Sequence, residues 1–316
     1  MGKLTLMAFL VAGAISAGAT SKPVAQLPMP CESNYQVLSP DGTQLAWWCK
    51  GGSVQVRTVP EGKQLRVIPA EERAIFLVYS PDGHWMGIGL HDGSVEVVAS
   101  DGSEVVKKWK VSHRRIDLLY FLPGRKALVV GPSDESAQVW DISEAPKLTA
   151  SLPFEFGGMS ACAASPDGKV FVVAGGDTVL RWYDTNTWQK TRENNDFLLE
   201  TFALVFTPNG EHVLAGGADA RITVLDATTT GLVRQFPAES GFYVVGLDVL
   251  GKNRSAAAIY LDDAGGKPPH GRFWNLADAT SVSFPIGAPP SCGAVVSGKF
   301  WLCSAEGNSL RIVQFE

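Results

Sequence analysis

A short turn signature, Ser-Pro-Asp-Gly or a near variant, returns at an almost constant interval along this chain of 316 residues. Its proline positions are Pro40, Pro81, Pro123, Pro166 and Pro208, separated by 41, 42, 43 and 42 residues. Leu250, in a degenerate Leu250-Gly251-Lys252-Asn253 turn, follows after another 42, and Ser297-Gly298-Lys299 supplies a seventh turn after 47. The physical content is clearest at Ser165-Pro166-Asp167-Gly168. Proline presets φ at the second position while serine and glycine suit the first and last, so the chain reverses as a type I turn. Residues 170–174 are then β-branched and aromatic enough for a buried strand. Gly175-Gly176-Asp177 turns the chain again into a strand over 179–183, which ends in an aromatic-acidic pair.

A period of 40 to 45 residues with four short strands per unit predicts an all-β, seven-bladed β-propeller, each unit being one four-stranded blade. Residues before the recurring turn form strand a, those after it strand b, and strands c and d complete the blade. In the second unit these are 75–79, 85–90, 95–99 and 105–109. The last unit reaches strand c at 310–315 and has no residues left for strand d. A strand-like segment at 24–27 precedes the first unit and is expected to close the ring as the missing strand, removing an edge prone to aggregation. Trp47, Trp48, Trp85, Trp140, Trp182 and Trp274 fall on strands and are expected to pack between blades.

The Ser-Pro-Asp-Gly turns and the strand ends Trp140-Asp141, Tyr183-Asp184, Leu225-Asp226 and Trp274-Asn275 resemble the WD-repeat family and its bacterial propeller relatives over residues 24–316. The same turn is similar to that of TolB-type periplasmic propellers. The resemblance implies a binding platform, although a fold does not establish a function. The chain departs from the family's Gly-His pair ahead of strand a, with Ser112-His113 alone at a comparable position, so the hydrogen-bonded tetrad that histidine braces is not implied.

Residues 1–19 have the order of an export signal: Lys3, an apolar core over 4–15, and the small residues Ala17-Gly18-Ala19 before a cut. The core is too short to span a bilayer comfortably, so a mature, exported single domain over 20–316 without a transmembrane segment is expected. Removing Lys3 with the signal takes the formal net charge from −5 to −6. A mildly acidic chain lacks the basic footprint of a nonspecific nucleic-acid binder. The expected setting is the periplasm or the exterior, as a monomeric ring.

Export makes disulfides available. Cys292 and Cys303 are centred on the Ser297-Gly298 turn and are expected to face each other across strands a and b, and Cys31 and Cys49 are centred on the first turn, so both pairs are candidate bridges. Cys162 is left over within an apolar strand and reads as a small hydrophobe, with no neighbouring base to activate it.

Chemistry-bearing patterns are sparse. His84, His91, His113, His212 and His270 show no metal-ligand spacing. No serine occupies a Gly-x-Ser-x-Gly elbow. Glycine pairs such as Gly216-Gly217 lead into strands rather than helix N-termini, so they read as turns and not as phosphate cradles. Neither a metal nor a cofactor is expected. The a–b turns are short and repetitive, whereas the b–c and d–a connections share the opposite end and vary most. That end carries the candidate binding residues: Glu71, Glu72 and Arg73; His113, Arg114 and Arg115; Asn194, Asn195 and Asp196; and Asp262, Asp263 and His270 around the insertion at 262–270, DDAGGKPPH, behind the long step. The leading reading is a non-catalytic scaffold for a protein or cell-envelope component. The alternative is a propeller hydrolase or lyase using acids and histidine at the channel mouth, for instance Asp262, Asp263 and His270.

Overall fold

A computed structural model describes residues 21–29, 31, 36–50, 52–69, 72–100, 105–250, 255–262, 264, 266–286, 290–296, 299–306 and 309–315. The expected signal segment and the turns at 251–253 and 297–298 lie outside the described residues. The strands flanking those turns are paired, Leu250 with Ser255 and Val296 with Lys299.

Seven antiparallel sheets of four strands each make a β-propeller. Blade one runs Gln36–Leu38, Gln44–Cys49, Ser53–Thr58 and Gln64–Pro69 from strand a to strand d. Blade four repeats this with Met159–Ala164, Val170–Gly175, Leu180–Asp184 and Lys190–Asn194. Inner strands touch their neighbours in chain order around the ring, and Gln36–Leu38 meets Pro290–Val296 to complete it. Blade seven takes its outer strand from the other end of the chain. Ser21–Pro28 pairs antiparallel with Ser309–Phe315, from Ser21 opposite Phe315 to Pro28 opposite Ser309. This strand is longer than the expected 24–27 because Ser21 and Lys22 pair through their backbones while their polar, exposed side chains leave no apolar signal.

The recurring turn forms as its residues dictate. The Ser165 carbonyl accepts from Gly168 N at 2.8 Å, and Gly168 takes φ +68°, a conformation open to glycine at little cost. Ser165 Oγ donates to Asp167 Oδ1 at 2.7 Å and accepts from Val170 N at 2.9 Å, while Asp167 accepts from Lys169 N at 3.1 Å. Ser39 with Asp41 and Ser80 with Asp82 repeat the arrangement. The Ser165 hydroxyl and the Lys169 amide hold the Asp167 carboxyl down at about 2.

Seven apolar clusters hold the ring, each bridging two adjacent blades. Between blades four and five, Ala161, Val172 and Trp182 meet Leu204, Phe206 and Val213. Trp47 and Trp182 are fully buried, Trp274 and Trp48 nearly so, and Trp85 and Trp140 pack partly buried between blades two and three. Burial of side chains this large contributes roughly 1.5–3 kcal/mol each and makes the inter-blade layers the main cohesive element. Among the described residues the indole N–H groups of Trp47 and Trp182 have no hydrogen-bond partner, whereas that of Trp274 donates to Tyr260 Oη at 3.1 Å.

Both expected disulfides are present. Cys292 and Cys303 are directly opposed in strands a and b of blade seven, and Cys31 bonds Cys49 at the end of strand b of blade one. Each closes a loop for which cross-linking contributes about 3 kcal/mol through the unfolded chain. Cys162 is free and half-buried, and burial pushes its thiol up, away from a reactive thiolate.

Candidate functional site

Turn acids at both ends of the ring accept backbone hydrogen bonds, and at the b–c end Asp92 takes one from Ser94 N at 2.9 Å and Asp219 one from Arg221 N at 3.0 Å. At the end carrying the a–b and c–d turns, acids are consumed in the backbone. Asp184 Oδ1 accepts from Asn186 N and Thr187 N, both at 2.9 Å, and Asp226 Oδ1 accepts from Thr228 N at 2.9 Å and Thr229 N at 2.7 Å. These strand-end acids shape turns.

At the opposite end, one backbone hydrogen bond recurs and fixes the loops. The first b–c turn residue donates to the carbonyl that closes the preceding d–a segment: His91 N to Arg73 O at 2.8 Å, Ser133 N to Arg115 O at 2.9 Å, Gly176 N to Gly158 O at 3.2 Å, and Ala218 N to Glu200 O at 2.9 Å. Backbones pack closely enough that a Cβ on Gly217 would lie 2.0 Å from the Glu200 carbonyl oxygen. Variable side chains therefore stand on a rigid rim.

Glu72 and Arg73 are exposed there, and Glu71 lies outside the described residues. His113, Arg114 and Arg115 are exposed on a segment locked to blade three: Arg114 N donates to Ser112 Oγ at 2.9 Å, and Ser112 Oγ donates to Glu135 Oε2 at 2.6 Å. Arg115 Nε pairs with Asp117 at 2.7 Å. Asn195 and Asp196 are exposed, but Asn194 is buried, its amide donating to the Thr230 carbonyl of the next blade at 3.1 Å and to Asp196 at 3.2 Å. Asn194 thus joins blades rather than facing solvent.

The insertion brings only some of its predicted residues together. Asp262 Oδ2 accepts from Gly266 N at 2.5 Å and Lys267 N at 2.9 Å, so it clamps its own loop, and the Lys267 amide helps hold its carboxyl below the usual range. Asp263 lies outside the described residues. His270 turns elsewhere: its Nε2 lies 3.0 Å from Glu239 Oε2, which also meets Arg272 Nε at 2.9 Å. The His270 ring stacks on Tyr260 at 5.2 Å and takes the edge of Phe242 at 4.8 Å. Glu239 carried no sequence signal because it comes from the d–a segment between blades five and six.

A second group escaped the sequence reading. In blade four, Arg181 Nη1 and Nη2 donate to Asp177 Oδ1 and Oδ2 at 2.9 and 2.6 Å, with the two side chains 8% and 1% exposed. Asp177 also accepts from Glu155 N at 2.9 Å, and the Arg181 guanidinium lies 5.5 Å from the Phe154 ring. Burial pushes the Asp177 carboxyl up, but Arg181 and the Glu155 amide outweigh it and hold it below its ordinary range. This buried pair pins the loop over 153–158. An arginine within a strand otherwise buried, Leu180–Asp184, was the available clue.

Beside that loop lies an open cleft of about 410 Å³ lined by Asp134, Glu135, Glu155, Phe154 and Phe156 among others. Toward the opposite end, between blades two and three, a cleft of about 420 Å³ is lined by Trp85, Phe121, Leu122, Lys107 and Arg125 among others. On inner strand a of blade six, burial raises the Asp248 carboxyl to about 6 despite the hydrogen bonds it accepts from Val249 N and Val295 N. Among the described residues no three His, Cys, Asp or Glu side chains come together as a metal site, and no helix is long and apolar enough to cross a membrane.

Blade count, topology and turn chemistry define a WD-repeat-like seven-bladed β-propeller. A chain in the crystal structure of the mitotic checkpoint complex superimposes on it with a TM-score of 0.81 over 99% of this chain and 98% of that one. At 16% sequence identity this likeness shows the fold alone. In sequence, the chain is 26% identical over 149 residues to a periodic tryptophan protein 2 homolog of Dictyostelium discoideum, and 25% identical over 187 residues to telomerase protein component 1 of Rattus norvegicus. Those alignments cover 41% and 58% of this chain but only 16% and 7% of the relatives. No protein-family model matches the chain.

Proposed function

We propose that this chain is an exported, non-catalytic scaffold of the periplasm or cell exterior, which holds a protein or envelope component on the b–c and d–a end of its ring. The observation that carries the reading is the rim at that end: recurring backbone hydrogen bonds fix its loops, and exposed charged and apolar side chains stand on them. Presentation on a rigid frame lowers the entropy lost on binding. Similarity to a propeller within a multiprotein complex supports a role in assembly, and the two disulfides fit an oxidising compartment. The signal over 1–19 supplies the route of export.

The test is affinity capture from the native envelope after mild crosslinking, with the mature protein as bait and a paired Arg114→Glu, Arg115→Glu variant as control. A defined partner held by the mature protein is the result expected of a scaffold, and its loss in the variant at an equal melting temperature would put the contact on the His113-Arg114-Arg115 segment. Equal capture by both excludes the His113-Arg114-Arg115 segment, and no capture by either removes the support for a scaffold.

A further inference from the structure

The rim is not uniform in charge. Five consecutive connections across blades three to five, residues 132–136, 153–158, 175–179, 195–200 and 217–221, contain Asp134, Glu135, Glu155, Asp177, Asp196, Glu200 and Asp219 against a single basic residue, Arg221. Asp177 is neutralised by Arg181 within the blade, which leaves six acids against Arg221 on this arc. The backbone links them side by side. A Cβ on Gly158 would lie 3.0 Å from Asp134 N, one on Gly157 would lie 3.1 Å from Gly176 Cα, and Ala218 N bonds the Glu200 carbonyl.

Among these acids stand large apolar side chains in water. Phe156 is 63% exposed, Leu198 91% and Leu199 50%. Single exposed apolar residues are ordinary, but Phe156 and the Leu198-Leu199 pair stand on the two loops that flank Gly176, where a Cβ would lie 3.6 Å from Phe156 O and 4.0 Å from Glu200 Oε1. Phe156 is held out deliberately by the fold, because the residue before it is tied through its amide to the buried Asp177 and Phe154 lies under the Arg181 guanidinium. Its rotamer-poor ring on a pinned loop is the kind of anchor that dominates binding energy.

We propose that this arc docks a cationic peptide segment of a partner protein, one that sets bulky apolar side chains against Phe156, Leu198 and Leu199 and places lysines or arginines among the surrounding carboxylates. Charge complementarity selects the occupant: an acidic or uncharged segment would desolvate the six acids without compensation. The proposal rests on the scaffold reading and gives it a partner chemistry. It places the principal contact away from Arg114 and Arg115.

The experiment selects a phage-displayed library of random peptides, about a dozen residues long, on the mature protein with its disulfides intact. Recovered sequences are then synthesised and measured by fluorescence anisotropy against the parent protein, the Arg114→Glu, Arg115→Glu protein and three arc variants: Phe156→Ser, Leu198→Ser with Leu199→Ser, and Glu155→Lys with Asp196→Lys. Expected are peptides rich in Lys or Arg beside Leu, Phe or Trp, affinities about tenfold weaker or more in each variant, and weakening with added salt. Melting temperatures should hold, since the altered side chains are exposed. Acidic or uncharged winners, equal binding by the variants, or no enriched peptide at all overturns the proposal. Peptides lost only in the Arg114→Glu, Arg115→Glu protein would refute the arc and leave the scaffold reading standing, whereas the scaffold reading itself falls on the crosslinking result.

Discussion

Replacing Asp177 by alanine should be among the most damaging single changes on the rim. The carboxylate is 1% exposed and receives both Arg181 Nη atoms, Glu155 N and, at 3.3 Å, Val179 N. Without it the guanidinium, 8% exposed, keeps only the Val179 carbonyl at 3.3 Å. Breaking a buried pair from one side costs about 3–5 kcal/mol, because the remaining charge is neither solvated nor matched. For a domain of this size that corresponds to a fall in melting temperature of roughly 10 °C. Urea denaturation of Asp177→Ala, Arg181→Met and the double variant would measure it, with hydrogen exchange at the Glu155 amide reporting the loop. Removing both partners should cost less than removing Asp177 alone, since no uncompensated charge remains. A loss below about 1 kcal/mol for Asp177→Ala, or simple additivity in the double variant, would show that water reaches the pair and refute the reasoning.

Ring closure is tested by Leu27→Ala, which empties a side chain 2% exposed in the layer between blades seven and one and should cost about 2–5 kcal/mol. Deleting residues 20–30 should destabilise the whole ring, and an unchanged melting temperature would defeat the closure. Asp248 carries a folded pKa of about 6 against an ordinary 3.8, so the folded state binds more protons than the unfolded one and loses stability as pH rises through that window. Asp248→Asn should therefore stabilise at pH 7 by at most about 3 kcal/mol and gain nothing below pH 3; a stability difference independent of pH contradicts the assignment. Thiol titration of the denatured, unreduced protein should find one group, Cys162, and a count of five would mean that neither disulfide forms.

Much of the architecture was legible because a propeller is written locally. The turn at Ser165-Pro166-Asp167-Gly168 needs only adjacent residues, and its return every 42 or so positions numbered the blades before any long-range contact was known. The cysteine pairs were legible for the same reason: Cys292 and Cys303 flank one hairpin, so symmetry about its turn placed them opposite each other. The outer strand of blade seven was visible only over its more apolar stretch, 24–27, and not at Ser21 and Lys22, where backbone pairing alone defines it.

The rim was decided by the tertiary structure. Asp262 and His270 are close in sequence yet take separate partners, because the first curls into its loop while the second faces Glu239 from the previous blade's connection. Asn194 looked like a mouth residue until the next blade's Thr230 covered it. Asp134, Glu155, Asp196 and Glu200 are scattered among strands in the sequence, and each alone is an ordinary loop acid. Only the packing of consecutive blades, which lays connections roughly 20 residues apart in sequence against one another, brings their loops and those of Phe156, Leu198 and Leu199 to one end of the ring. Short-range steric and hydrogen-bonding preferences wrote the blade into the sequence; the charge and apolar character of its face arise from packing between blades, which no local pattern encodes.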